Sequence, residues 1–246
     1  MLGLSSGLIY DNSSGSAFPN LLQATMSTTN AANLVLWLKN NTEVIASQWK
    51  DSSGANNHVI QTNSGNQAAV SGGGLDFEAS ENDHYDLTNI ITVNENQGFC
   101  MAVVVELENL SGVVLSKDAN DQFRFVNGTT FRFKSDTTDT TTSFVFDSGT
   151  FATGTKTLIL LNRSAGALNQ FTFMKNGVAL TPSTDDSTNE AKGENPYGFD
   201  LNVLGANAGT SQFFDGKILE LAFWQRSLTT QEIVDVNYYL KDIHGL

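Results

Sequence analysis

Beyond Asn33 the chain runs as short apolar stretches broken by Gly, Asn and Asp. QFRFV (122–126) and TFRFKS (130–135) place a phenylalanine at every second position with an arginine between, the period of a strand with one dry face and one wet face. Asn127-Gly128 between them signals a hairpin. The same reading gives strands at LVLWL (34–38), GLDFEAS (74–80), GFCMAVVVELEN (98–109), GVVLS (112–116), TSFVFDS (142–148) and KTLILLNRS (156–164). It continues through QFTFMK (170–175), VALT (178–181), FDLNVLG (199–205) and KILELAFWQ (217–225). Asn176-Gly177 turns the chain between two of these runs, and Asp215-Gly216 launches the last. About a dozen short strands with turn residues between them predict an all-β, antiparallel two-sheet sandwich.

One segment has a helical period. Thr229 and Glu232 stand at capping-box spacing, Ile233, Val236, Leu240 and Ile243 form one apolar face, and Gly245 supplies a left-handed cap. The spacing predicts a helix over about 229–244 that docks on a sheet edge or rim. Residues 1–32 differ from all of this. They are rich in Ser, Gly, Asn and Thr without a sustained period, so they read as an extended N-terminal arm beside a single domain at 33–246. Small apolar clusters interrupt the arm, and Leu4, Leu8, Ile9, Tyr10, Phe18, Leu21 and Leu22 are its expected anchors on a partner.

Composition narrows the partners. A net charge of −13 argues against nucleic acid, whose phosphates want a basic face, and against an anionic membrane surface. The MLGLSSGLIY start lacks the basic region of a secretory signal, and no apolar run is long enough to span a bilayer. The single cysteine, Cys100, lies in an apolar run and reads as a small buried hydrophobe.

Three stretches together resemble laminin-G-like members of the concanavalin A-like lectin/glucanase superfamily. In LVLWLKNNTEVIASQWKDSSGANNHVIQ (34–61), Trp37, Trp49, Asp51, Ser53 and Gly54 match a family strand followed by an Asn-rich Trp-x-Asp-x-Ser-Gly turn, with Lys39 where an acid is usual. MKNGVAL (174–180) is similar to a family hairpin, and residues 213–246 to the closing strand and terminal helix. The resemblance implies a jelly roll of two curved antiparallel sheets. The MLGL…SGL start followed by such a domain also resembles virion structural proteins of tailed bacteriophages, notably those of marine cyanobacteria.

Candidate chemistry is sparse. ENDHYDL (81–87) brings Glu81, Asp83 and Asp86 together, whereas glucanases of the superfamily carry Glu-x-Asp-x-x-Glu with apolar spacers. A retaining glycosidase needs two carboxylates about 5–5.5 Å apart, and a regular strand would turn Asp86 away from Glu81. NDHYDLTNI (82–90) reads instead as an edge strand entered by a loop, with Tyr85 and Leu87 packing inward, and no catalytic residue is assigned. Structural calcium, as some laminin-G-like domains hold, has loose candidates in Asp118, Asn120 and Asp121 and in Asp185, Asp186 and Glu190, so no metal ligand is assigned and no cofactor is expected. A sugar site would pair an aromatic ring with amides and carboxylates. Trp49, Asp51, Asn56 and Asn57 are the best local set, against the alternative that Trp49 is core and the rest a polar turn. His58, His84 and His244 lack metal spacing.

These readings converge on a non-enzymatic bacteriophage virion structural protein, a decoration or cement subunit on a capsid or tail. Its arm would bind major capsid or tail proteins in an oligomer or lattice, after synthesis in the host cytoplasm without a signal peptide. The alternative is a glycan-binding or host-receptor-binding lectin-like module.

Overall fold

The structure is a computed structural model that describes residues 33–135, 141–147, 149–165, 171–182, 184–185 and 198–246. The expected arm, with all seven of its anchors, lies outside the described residues. In chain order the strands are β1 Leu34–Leu38, β2 Val44–Ile45, β3 Gln48–Trp49, β4 Val59–Ile60, β5 Ala69–Ser71, β6 Gly74–Phe77, β7 Tyr85–Val93, β8 Phe99–Leu107 and β9 Gly112–Ser116. They continue with β10 Gln122–Asn127, β11 Thr130–Lys134, β12 Thr141–Val145, β13 Lys156–Arg163, β14 Phe171–Lys175, β15 Val178–Leu180, β16 Thr184–Asp185, β17 Phe199–Leu204 and β18 Gly216–Trp224. One α-helix, α1, covers Thr230–His244.

The first sheet runs β15-β14-β13-β8-β18-β6-β5, with β1 paired to the far half of β18. The second runs β16-β12-β11-β10-β9-β17-β7-β4-β3-β2. The pairings are antiparallel, and the two sheets stack as a jelly-roll sandwich, as the alternating runs predict. Between them lies a core rich in phenylalanine. Phe123 and Phe133 stack across β10 and β11 at 4.7 Å between centroids, and Phe99 meets Phe123, Phe199 and Phe223 within 5.9 Å. Among the described residues twelve phenylalanines are buried, so this aromatic cluster is the mass of the core rather than a ligand surface.

The helix sits elsewhere than expected. It does not take a sheet edge; it lies across the outer face of the first sheet. Ile233, Val236, Tyr239 and Leu240 pack there on Trp37, Cys100, Ala102, Val104, Leu158, Leu160 and Trp224. The N-terminal capping box forms, with Thr229 Oγ1 accepting from Glu232 N at 3.3 Å and Glu232 Oε2 accepting from Thr229 N at 2.8 Å. Arg226 donates both terminal nitrogens to the same carboxylate, at 2.8 and 2.9 Å. Gly245 closes the helix at φ +68°. Ile243, expected on the buried face, is 45% exposed; His244 turns inward in its place and meets buried Glu220 at 2.9 Å.

Two turns show how the sequence sets the register. Asn176 and Gly177 both take positive φ, the geometry of a tight two-residue hairpin. Asn127-Gly128 makes its hairpin differently: Asn127 Oδ1 accepts from Thr129 N and Oγ1, an Asx turn without positive φ. The expected edge strand at 82–90 is corrected as well. Glu81 closes a short 3-10 turn, Asn82 is left-handed, and β7 lies inside the second sheet between β17 and β4. Tyr85 and Leu87 do pack inward, as expected.

A candidate sugar-binding groove on the helix

The four residues nominated for glycan contact build a turn. Trp49 is completely buried and donates Nε1 to Lys39 O, so its ring offers no face for a sugar to stack on. Asp51 is the hub of the turn. Its Oδ1 accepts from Trp37 N and Ser53 N, and its Oδ2 from Ser53 Oγ and Asn57 N, all within 3.0 Å. Asn57 is buried and donates to Val35 O, while exposed Asn56, at φ +61°, lends its carbonyl to Thr88 and Asn89. The Trp-x-Asp-x-Ser-Gly pattern therefore ties β1 to β3 and β4. Its polar atoms are spent on the backbone.

The acidic candidates separate in the same way. Asp83 is buried, its Oδ2 accepts from Glu78 N, and desolvation pushes its carboxyl above the usual range. Glu81 and Asp86 are exposed and lie on different elements. At the loop around 118–121, Asp118 accepts from Asn120 N and Asp121 N, Asn120 accepts from Lys134 Nζ, and Asp121 accepts from Asp200 N. These oxygens hold the loop. Asp200, in turn, is desolvated, but hydrogen bonds from Lys117 and Thr92 outweigh that and hold its carboxyl below the usual range. Asp186 and Glu190 lie outside the described residues. Glu78, Glu108 and Asp215 bring their oxygens within 4.8 Å of one another, a set the sequence reading missed because they come from three separate segments. Burial first, then the neighbouring carboxylates, raises Glu78. Three oxygens fall short of the six to eight that calcium takes, and Lys217 already lies 3.9 Å from Glu108.

A groove of about 420 Å³ between α1 and the β14–β15 hairpin gathers a different set. Met174, Gly177, Val234, Asn237, Tyr238, Lys241, Asp242 and Leu246 line it. The hairpin bank is fixed from below, because Asn176 N donates to Leu158 O and Asn176 Oδ1 accepts from Leu158 N. Tyr238 stands 48% exposed beside Asn237, which is buried. Asn237 Nδ2 donates to Ile233 O at 2.8 Å, while its Oδ1 is buried without a donor. An exposed ring, an amide, a carboxylate and an ammonium group thus converge on one concavity. Sequence reasoning missed this set. Its signal was the Tyr238-Tyr239 doublet: one helical step turns Tyr239 into the sheet and leaves Tyr238 on the groove. A second hollow of about 330 Å³, bounded by Thr92, Glu95, Asp121 and Asp200, is polar throughout its acidic rim.

The fold is that of a two-sheet jelly-roll β-sandwich. The Laminin_G_3 family model, described as the concanavalin A-like lectin/glucanases superfamily, matches residues 79–234, more than half of the chain, and the chain belongs to that family. No curated protein sequence matches it. Among solved structures, the binding domain of botulinum neurotoxin serotype D is similar at 13% identity and a TM-score of 0.58, over 89% of this chain and 53% of that one. Domain 4 of AbnA, a GH43 extracellular arabinanase from Geobacillus stearothermophilus in complex with arabinotriose, is similar at 19% identity and a TM-score of 0.55, over 83% of this chain and 98% of that one. Trypanosoma rangeli sialidase is similar at 12% identity and a TM-score of 0.55, over 86% of this chain; the chain spans about a third of the sialidase. At these identities the likeness is one of fold. Among the described residues no helix is long and apolar enough to cross a membrane.

Proposed function

We propose that this chain is a non-catalytic, lectin-like module that binds a glycan in the groove between α1 and the β14–β15 hairpin. The observation that carries the reading is the half-exposed Tyr238 ring beside the Asn237 amide and the charged Lys241 and Asp242. A sugar presents an apolar face for the ring and hydroxyls for the amide and the charges. Two fold relatives are named as binding domains, and one is a domain in complex with arabinotriose, which supports the same reading. The test is retention of the purified chain on a panel of immobilised polysaccharides. At least one should retain it at micromolar strength without release of reducing sugar, and Tyr238→Ala should weaken retention at least tenfold with thermal stability unchanged. No retention on any glycan, or full retention by the variant, would sink the groove reading, and turnover would sink the non-catalytic one.

A second reading is favoured by the apolar banks, since Val234 is 52% and Val178, next to Gly177, 63% exposed. In it the groove takes a protein segment, as a bacteriophage decoration subunit anchored to capsid or tail proteins would need. A stable complex with a virion protein that Val234→Asp disrupts would favour this reading over the first.

A further inference from the structure

The lining of the helix groove has a direction. It comes from successive turns along one flank of α1: Val234, then Asn237 and Tyr238, then Lys241 and Asp242. Leu246 carries it past the helix end. Gly245, in its left-handed cap, turns Leu246 back, so that Leu246 N donates to Lys241 O at 3.0 Å and its side chain joins Met174 against the outer-face cluster. Helical rise alone separates Val234 from Asp242 by about 12 Å, and Leu246 lies beyond. A sugar ring within a chain advances about as far as one helical turn, roughly 5 Å. A single ring therefore covers one turn of this lining and leaves the others bare.

In cross-section the groove is a trough. Among the described residues its lining comes from two elements only: α1 with the Leu246 that follows it, and the β14–β15 hairpin through Met174 and Gly177. The floor is apolar and held together, since Asn237 Nδ2 lies 3.5 Å from Met174 Sδ and ties the helix to the hairpin. Gly177 keeps the middle clear. A Cβ at this left-handed residue would stand 3.2 Å from Lys241 Cδ and 3.8 Å from Asn237 Cβ. The long Lys241 side chain reaches across to that glycine, and among the described residues no ion pair holds it there. The lining carries one cation, Lys241, and one anion, Asp242, so its own charges cancel. The net charge of −13 disfavours polyanions at longer range.

We propose that the groove takes an internal stretch of a neutral, linear polysaccharide, about three sugar units lying parallel to α1, and not a chain end or a single sugar. The inference rests on the glycan reading of the groove and adds the ligand's length, direction and charge. The Tyr238 ring stacks on the central unit. Val234 covers the unit towards the start of the helix, and Asp242 and Leu246 the unit towards its end. Lys241 lifts off Gly177 and donates to sugar hydroxyls. Recognition of a chain end needs a pocket closed by a further element, and the described lining has only its two long walls.

The test is isothermal titration of the full chain with arabino-, xylo-, cello- and laminari-oligosaccharides of one to six units, and with oligogalacturonates of the same lengths. It is run on the native chain, Tyr238→Ala and Val234→Ser. In at least one neutral series affinity should rise at least tenfold from one unit to three and change less than twofold beyond four. Tyr238→Ala should weaken every length. Val234→Ser, at an exposed position that leaves folding intact, should spare the two-unit ligand and weaken ligands of three units and more at least fivefold. A single sugar bound as tightly as three units, or a Val234→Ser loss equal at every length, would overturn the linear site and leave the glycan groove standing. Tighter binding of oligogalacturonates than of every neutral series would overturn the neutral assignment. Binding of no series would overturn this inference and the groove reading together, and leave the trough to a protein segment.

Discussion

Replacing Asp51 with alanine removes the acceptor for four hydrogen bonds at once, and the consequence can be worked from their surroundings. Ser53 N and Oγ are partly exposed and can turn to water. Trp37 N and Asn57 N cannot, because Trp37 is 2% and Asn57 7% exposed. Each stranded buried donor costs about 1–3 kcal/mol, so the two together cost about 2–6 kcal/mol. That is a large share of the roughly 5–15 kcal/mol by which a domain is stable. Asp51→Asn separates shape from charge. Its amide oxygen can still accept from Trp37 N, but its NH2 meets Asn57 N–H donor to donor, so about half of the loss remains, roughly 1–3 kcal/mol. Urea unfolding of the three proteins, read by linear extrapolation with the slope checked for constancy, measures both values. A change below about 1 kcal/mol for Asp51→Ala would refute the reasoning. So would a loss of glycan retention in Asp51→Asn at temperatures where it is fully folded, because that would return the turn to the list of binding surfaces.

Two further predictions concern the helix. Glu232 is desolvated, but the hydrogen bonds from Arg226 and Thr229 outweigh burial and hold its carboxyl below the ordinary value of 4.5. A depressed folded-state value stabilises the fold above about pH 4.5 and is lost as pH falls from there, so the acid limb of urea stability should be shallower in Glu232→Gln than in the native chain; identical limbs would contradict the assignment. Glu220 is 1% exposed and accepts from Trp37 Nε1 at 2.8 Å while meeting His244 Nε2 at 2.9 Å. Glu220→Ala strands both partners under the helix and should lower stability by about 3–5 kcal/mol in the same urea assay, with a loss under 1 kcal/mol counting against the network.

The sequence was most legible where a period was long enough to read. The β10–β11 hairpin, the capping box and the inward Tyr85 and Leu87 all follow from local patterns. β2, β3, β4 and β5 have two or three residues each, too short to carry a period, and they emerged only from tertiary pairing. The place of α1 is a different matter, because its signal was present in the strands. FCMAVVVEL, KTLILL and ILELAFW are apolar at successive positions, and only a sheet covered on both faces needs that. The helix is the cover. The glycan candidates failed for a reason of the same kind. A tryptophan next to Asp and Asn has the composition of a sugar site, but composition does not tell which side of a strand the ring takes. Trp49 takes the inside.

That asymmetry between the sheets bears on where a ligand is held. The first sheet spends its outer face on α1, so any contact on that side must be made by the helix's own outward residues, Val234, Tyr238, Lys241 and Asp242. The second sheet keeps polar outward positions along β7 and β10–β11, where Asp86, Thr88 and Thr92 are exposed and Arg124 and Arg132 stand opposed. A sugar in the groove touches both α1 and the β14–β15 hairpin, and so adds to the contacts that hold the helix down; it should raise the stability of the helix's docking by linkage. Amide hydrogen exchange reads this directly: groove occupancy should slow exchange along Thr230–His244, and unchanged exchange there on binding would refute it.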